Sequence, residues 1–434
     1  MAEKLLSVGL DVGTTTTQLI VSRLTVENKA SGFTVPEMEI GQREILYKSP
    51  VHFTPLSGGT LVDKDGLRNL VDKEYEKAGI SREQVDTGAV IITGETSRKE
   101  NAKTALEALS EYAGEFVVAT AGPDLESILA AQGAGAVAYS EKTGKTVLHM
   151  DIGGGTSNLC LIQAGKIIAT GCLNVGGRLL KLDESGNIIY RSPVLCYAAE
   201  KEIPDIVQDM VTALEMAAGL RPAGELLDKF MTQEITAPWQ IPRESLVLSF
   251  SGGVADCIET ENPPFAFGDI GPLLGQGIRE SKLCRGEYIL GKETIRATVI
   301  GAGCYSTTLS GSTVFYKNVQ FPMKNLPVVA FSPGKTLHTE ETPVLFIPGE
   351  EAFSYARVRE LAECIAQKCQ GPLFVAMQAD AAKALGHCLG LLLPPDQPIC
   401  CIDRVKLTEN SYLDIGTPIG PALPVVIKTL ILSQ

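Results

Sequence analysis

Two stretches of this chain repeat one pattern of apolar and polar positions. Residues 5–22, LLSVGLDVGTTTTQLIVS, and residues 146–162, TVLHMDIGGGTSNLCLI, each set apolar runs on both sides of a short turn that opens on an aspartate and is filled with Gly, Thr and Ser. Apolar runs of this length bounded by turn residues predict strand, turn and strand. A third apolar run, in LVLSFSGGVADCI from Leu246, ends at Gly252 and Gly253 and leads into a helix start. Between the first two turns the pattern predicts strand 88–93, helix 97–113, strand 115–120 and helix 124–138. Such alternation implies α/β architecture with a mostly parallel, covered sheet.

The polar run Ser140–Lys145, SEKTGK, reads as a surface loop at a first boundary. Residues 183–242 carry helical runs at 206–218 and 223–231 with few strand signals, and read as a helical insertion. After Gly311 the alternation resumes, with strands at 344–347, 373–377 and 399–402, helices at 354–369 and 379–393, and a last strand in VVIKTLIL. The expected division is therefore 1–145, 146–311 with the insertion inside it, and a C-terminal α/β region at 312–434.

Composition narrows the class without changing that outline. A chain of 434 residues exceeds what one core usually serves, and 44% apolar with 21% charged residues suits an ordinary globular protein. A net charge of −13 with no basic stretch argues against nucleic acid as a partner. No apolar run approaches the roughly 20 residues of a membrane-spanning helix. The first strand begins at Leu5, which leaves no room for a secretion signal, so a cytoplasmic protein with no membrane partner is expected. Eleven cysteines with no CxxC pair describe neither a disulfide framework nor a zinc site. Cys400 and Cys401, adjacent in a predicted strand, must face opposite ways. His52, His149, His338 and His387 are scattered and read as single hydrogen-bonded histidines.

The turns carry the chemistry. In Asp11-Val12-Gly13-Thr14-Thr15-Thr16 the glycine allows close main-chain approach, successive N–H groups converge on an anion, and Thr hydroxyls add donors. A carboxylate beside a polyphosphate is repulsive unless a divalent cation lies between them, so Asp11 implies Mg²⁺, which takes few protein ligands directly. Asp151-Ile152-Gly153-Gly154-Gly155-Thr156 repeats the logic, and two such hairpins could clamp a triphosphate from both sides. One such turn is ordinary turn chemistry, whereas two in one chain are a specific signal. Ser251-Gly252-Gly253 then offers a strand-to-helix turn against which a nucleoside can lie.

This ordered set, over residues 5–310, resembles the actin-like ATPase superfamily, which includes actin, sugar kinases and heat-shock chaperone ATPases. The resemblance implies two ribonuclease-H-like halves with ATP in the cleft between them. By it, the small-residue runs Gly133–Ala138 and Ile300–Gly303 look like two connecting helices that cross where the halves hinge. Glu126 is similar in place to the carboxylate that organises the metal or the attacking water, with Asp124 its rival. Asn158 stands where the chaperone branch has an aspartate. A neutral amide cannot act as a carboxylate base, so slow hydrolysis and a switch-like use of nucleotide are expected.

At a finer level the whole chain resembles the ethanolamine ammonia-lyase reactivating factors, on GLDVGTTTTQ, ITGETSRKENA, HMDIGGGTSN, SFSGGVADCI and DIGTPIG. That resemblance implies an ATP- and Mg-dependent chaperone that binds the damaged lyase holoenzyme and lets intact adenosylcobalamin replace spent cobalamin. It also implies a place in the cytoplasm with association to an ethanolamine-utilisation microcompartment, and leaves homo-oligomer formation open. Competing classes are a small-molecule kinase of the same fold, a dehydratase activator with an iron–sulfur cluster and a filament-forming scaffold. The cluster Arg98, Lys99 and Lys103 reads more simply as a solvated helix face than as a docking patch.

Overall fold

The computed structural model describes residues 3–13, 16–28, 38–57, 61–92, 109, 118–120, 123–183, 185–233, 246–305, 307–311, 313–332, 342–349, 353–368, 371–405, 407, 411–418 and 422–429. Strands β1 (Glu3–Val12), β2 (Thr16–Asn28) and β3 (Met38–Lys48) form an antiparallel meander. Strands β4 (Thr87–Ile92) and β5 (Val118–Thr120) follow in parallel, giving the order β3-β2-β1-β4-β5. Helix α1 (Lys64–Ala78) is the crossover from β3 to β4. The Asp63 carboxylate accepts its first free N–H groups, and Leu67, Val71 and Tyr75 bury one face against the sheet.

Helices α2 (Pro123–Gly133) and α3 (Ala136–Thr143) lead to a second sheet. There β6 (Thr146–Ile152), β7 (Ser157–Gln163) and β8 (Lys166–Leu173) form the meander, a small hairpin of β9 (Leu180–Leu182) and β10 (Ile188–Arg191) follows, and α4 (Ile203–Ala217) makes the crossover. Strand β11 (Met231–Gln233) joins the outer edge. Strand β12 (Leu246–Ser251), helix α5 (Gly271–Glu280), strand β13 (Tyr288–Leu290) and helix α6 (Ala297–Tyr305) complete the unit in the order β11-β8-β7-β6-β12-β13. Three meander strands followed by two parallel ones thus occur twice, and α4 stands in the second sheet where α1 stands in the first. Met150, Phe250, Leu214 and Leu274 belong to the largest core, between the second sheet and α4 and α5. Fully burying each such side chain contributes about 1.5–3 kcal/mol.

A third, eight-stranded sheet takes the C-terminal chain. Its strands are β14 (Thr307–Leu309), β15 (Phe315–Lys317), β16 (Met323–Ala330), β17 (Val344–Ile347), β18 (Leu373–Met377), β19 (Ile399–Ile402), β20 (Ser411–Ile415) and β21 (Pro424–Thr429), in the order β14-β21-β20-β16-β17-β18-β19-β15. Helices α7 (Tyr355–Lys368) and α8 (Ala382–Leu392) pack together on one face. Cys401 lies in the core under those helices and Cys400 in the core on the opposite face, as adjacent strand residues must.

Two local readings change and one lies beyond the described residues. The helix expected over 124–138 is two helices, because Gly135 takes φ +83° between them. The polar run at 140–145 is no loop at its start, since α3 continues through Thr143 before Gly144 stops it. The helix expected at 97–113 lies outside the described residues except for Leu109, as do Arg98, Lys99 and Lys103.

Helices α2 and α6 cross in backbone contact. A Cβ on Gly133 would overlap the carbonyl oxygen of Ala297, and one on Gly301 would overlap that of Leu129, so neither position admits a side chain. Ala130, Ala134 and Ala297 fill the rest of the crossing. The two small-residue runs singled out in the sequence therefore meet.

Candidate functional site

Each hairpin begins where two strands run out of partners. In the first, Asp11 lies opposite Gln18 across β1 and β2, and the Gly13 N–H closes the turn on the Thr16 carbonyl at 2.8 Å. In the second, Asp151 lies opposite Asn158 across β6 and β7, and the Gly153 N–H closes on the Thr156 carbonyl at 2.9 Å. The register is the same in both. Thr14 and Thr15 lie outside the described residues. Gly154 and Gly155 are exposed, and no atom comes near the position where a Cβ on Gly155 would stand. This part of the second turn lies open at the surface.

Behind the second turn the chain returns through Gly176, Gly177 and Arg178. The Gly177 N–H donates to the Gly153 carbonyl at 3.1 Å and the Arg178 N–H to the Gly154 carbonyl at 2.6 Å. These bonds occupy the turn's carbonyls on the inner side.

Asp151 is tied into a buried polar chain. Its Oδ1 accepts from Ser251 Oγ at 2.5 Å. Ser251 Oγ lies 2.9 Å from His149 Nε2, and His149 Nδ1 lies 2.9 Å from Ser249 Oγ. Since the Ser251 hydrogen goes to Asp151, the imidazole must donate from Nε2 and accept at Nδ1, as a neutral ring. Burial drives the imidazole pKa down to about 3, which keeps it in that form. Burial also pushes the Asp151 carboxyl up to about 6, against the opposing pull of the Ser251 and Thr298 hydroxyls. A cation beside Asp151 would reverse that shift.

The amides opposite the aspartates are held in a matching way. Asn158 Nδ2 donates to Glu126 Oε2 on α2 at 2.7 Å. Gln18 Nε2 donates to the carbonyl of Ile295, just ahead of α6, at 3.1 Å. In both cases the amide oxygen, Asn158 Oδ1 or Gln18 Oε1, is buried and has no hydrogen-bond partner among the described residues. Two buried acceptors, each across a strand pair from an aspartate, are what a hydrated cation would satisfy. Among the described residues no three His, Cys, Asp or Glu side chains converge to cage a metal. A Mg²⁺ here would therefore keep most of its water, as Mg²⁺ commonly does.

The segment 295–298 links the hairpins. Ile295 receives Gln18 of the first, while Thr298 donates to Asp151 of the second. Glu126 is buried against Asn158, and Asp124 instead accepts a hydrogen bond from Thr170 on β8. Of the third turn, Ser251 is buried and its hydroxyl engaged, and Gly253 is exposed. Gly252 sits at φ +86°, where a Cβ would overlap the carbonyl oxygen of Ile152.

His149, read from the sequence only as a single hydrogen-bonded histidine, is hydrogen-bonded and stands in the site, and Arg178 was not singled out. His149 stands two residues before Asp151 and so on the same strand face, a period-two signal available in the sequence. Arg178 follows a Gly-Gly pair in a loop and carries no such signal.

The doubled strand order and the paired aspartate hairpins define an actin-like ATPase fold. The family described as ethanolamine utilisation protein EutA matches residues 3–343 and 333–433, and the chain belongs to that family. The ethanolamine ammonia-lyase reactivase EutA of Salmonella typhimurium strain LT2 is 38% identical over 470 residues, covering 98% of each chain. The protein of the same description from Escherichia coli K12 is 38% identical over 469 residues, again covering 98% of each. Among solved structures, a Ppx/GppA family member from Aquifex aeolicus is similar over 69% of this chain and 88% of its own, at 16% identity and a TM-score of 0.35. At that score it adds nothing to the strand order. No described helix is long and apolar enough to cross a membrane.

Proposed function

We propose that this chain is a reactivating chaperone for ethanolamine ammonia-lyase that works by binding Mg-ATP between its two hairpins. Family membership and the name carried by both curated relatives support the lyase as partner. The observation that carries the nucleotide site is the pair of turns in the same register, closed by the same hydrogen bond and tied to one segment, with an amide oxygen opposite each aspartate that has no partner among the described residues.

In this reading Asp11 and Asp151 hold the hydration shell of Mg²⁺. Gly13, Thr14, Thr15 and Thr16 line one side of the phosphates, and Gly153, Gly154, Gly155 and Thr156 the other. Gly252 and Gly253 face the adenosine, with Ser251 holding Asp151 from beneath. Glu126, fixed by Asn158, orients the attacking water. A buried amide beside it supplies no second base, so turnover is slow and ATP and ADP serve as two binding states. The lyase is bound differently in the two states, which lets damaged cobalamin leave and adenosylcobalamin enter. The halves are residues 1–145 and 146–311, with 312–434 as a C-terminal region, and the protein works in the cytoplasm beside an ethanolamine-utilisation microcompartment.

The test is direct. Inactivated ethanolamine ammonia-lyase is incubated with the protein, ATP, Mg²⁺ and adenosylcobalamin, and returning lyase activity is measured. Rescue is expected with the native chain and lost with Asp11→Ala or Asp151→Ala, both still folded by circular dichroism. Full rescue by both variants would remove the proposed site.

A further inference from the structure

Arg178 occupies an unusual place beside the second turn. Its own N–H fixes the Gly154 carbonyl, and its side chain passes over that glycine, so that a Cβ on Gly154 would stand 3.2 Å from Arg178 Cδ. Beyond Cδ, Nε pairs with Asp269 Oδ2 at 3.1 Å. Asp269 is nearly buried, with 9% of its side chain exposed, whereas Arg178 keeps 29%. The pairing uses Nε alone, and among the described residues the two terminal guanidinium amines have no hydrogen-bond partner.

Asp269 is itself anchored. Its Oδ1 accepts from the Gly271 N–H at the first turn of α5 at 2.9 Å, and the Ile270 N–H donates to the Gly177 carbonyl at 2.9 Å. One carboxylate thus joins the residue beside the phosphate turn to the start of a ten-residue helix. A planar guanidinium whose Nε is held and whose terminal amines are unclaimed matches two oxygens of one phosphoryl group.

We propose that Arg178 reads the terminal phosphate of a nucleoside triphosphate held at Gly153–Gly155 and, through Asp269, ties its presence to the position of α5. The inference rests on the nucleotide reading above and adds the residue that separates triphosphate from diphosphate. A residue that merely pinned the loop would weaken both nucleotides alike, whereas one that touches the terminal phosphate weakens only the triphosphate.

Calorimetry with the full chain, Mg²⁺ and either ATP or ADP decides between these. For Arg178→Ala the ATP affinity is expected to fall about tenfold or more while the ADP affinity stays within about twofold, a loss on the scale of one charge-assisted contact. Arg178→Lys, which keeps the charge and loses the fork, should lie between, and serves if the alanine variant does not fold. Asp269→Asn should lower the ATP affinity by a smaller factor in the same direction. If the native chain binds both nucleotides and Arg178→Ala and Arg178→Lys weaken them equally, or neither, this inference fails and the nucleotide site stands. If the native chain binds neither nucleotide, the site itself fails and Arg178 with it.

Discussion

Both hairpins are held by the chain returning after the third meander strand, the first through a side chain and the second through the backbone. Thr54 donates its hydroxyl to the Gly13 carbonyl at 2.8 Å, and the Gly177 N–H does the same for the Gly153 carbonyl at 3.1 Å. The neighbouring parallel strand differs more. Beside Asp11 it presents Ile91, a core residue, and beside Asp151 it presents Ser251, the end of a chain of buried hydroxyl and imidazole groups. Duplicated backbones have therefore been given unequal chemistry. The register and the hydrogen bond that closes each turn follow from the strand pattern and survive in both copies. Among the described residues the second turn carries a buried hydroxyl–imidazole network and an arginine, so it is expected to respond to pH and to phosphate number.

The largest test of that inequality is also a test of what the hairpins share. Asp11→Ala and Asp151→Ala should each reduce Mg-dependent ATP affinity by roughly a hundredfold or more, about 2.7 kcal/mol, measured by calorimetry. Retention of affinity by one variant alone would make the site one-sided.

A second experiment separates them. Asp151→Asn puts a neutral isostere in place of a half-buried carboxyl whose pKa desolvation raises to about 6. Without nucleotide, the variant should be more stable than the native chain at pH 8 by on the order of 1–3 kcal/mol, read by urea unfolding, with the difference shrinking as pH falls below 6. The sign follows because a carboxyl raised in the folded state loses stability as pH rises through its folded pKa. A destabilised Asp151→Asn variant would contradict the burial argument.

The amides give a smaller contrast. Asn158→Ala takes a donor from the buried Glu126 carboxyl and should cost about 1–3 kcal/mol, while Gln18→Ala takes one from a main-chain carbonyl and should cost about 0.5–1.5 kcal/mol. Equal losses in unfolding experiments would show that the two positions are energetically interchangeable after all.

The mildest effect is in pH dependence. Mg-ATP binding needs Asp151 ionised, so affinity should hold above about pH 6 and fall about tenfold per unit below it, after correction for the nucleotide's own titration. Binding is the better readout than melting. His149, with its pKa pushed down to about 3, loses folding stability as pH falls below the ordinary imidazole range and so offsets Asp151 there.

Much of this was legible in the chain and some was not, for physical reasons. Strands at 344–347, 373–377 and 399–402 are buried on both faces and read as plain apolar runs, so their bounds agree with the structure. Strand β3 escaped notice because it is an edge strand with alternating half-exposed positions and many charges, MEIGQREILYK. The hairpins and the crossing glycines were visible because close approach demands particular residues. The Ser249–His149–Ser251 chain was not, since it joins residues about a hundred positions apart that only the β6–β12 pairing brings together. Arg178 was hidden for the same reason, its partner Asp269 lying across a loop.

The crossing of α2 and α6 has one more implication. Two helices that meet through Gly133 and Gly301, with alanines around them, have no long side chain interlocked at their points of closest approach. Gears with filed teeth slide rather than click, and a rotation about that contact should proceed without rotamer exchange in its path. Fluorescence distances between dyes on the first and second sheets should then drift continuously with nucleotide occupancy, where a toothed contact would step.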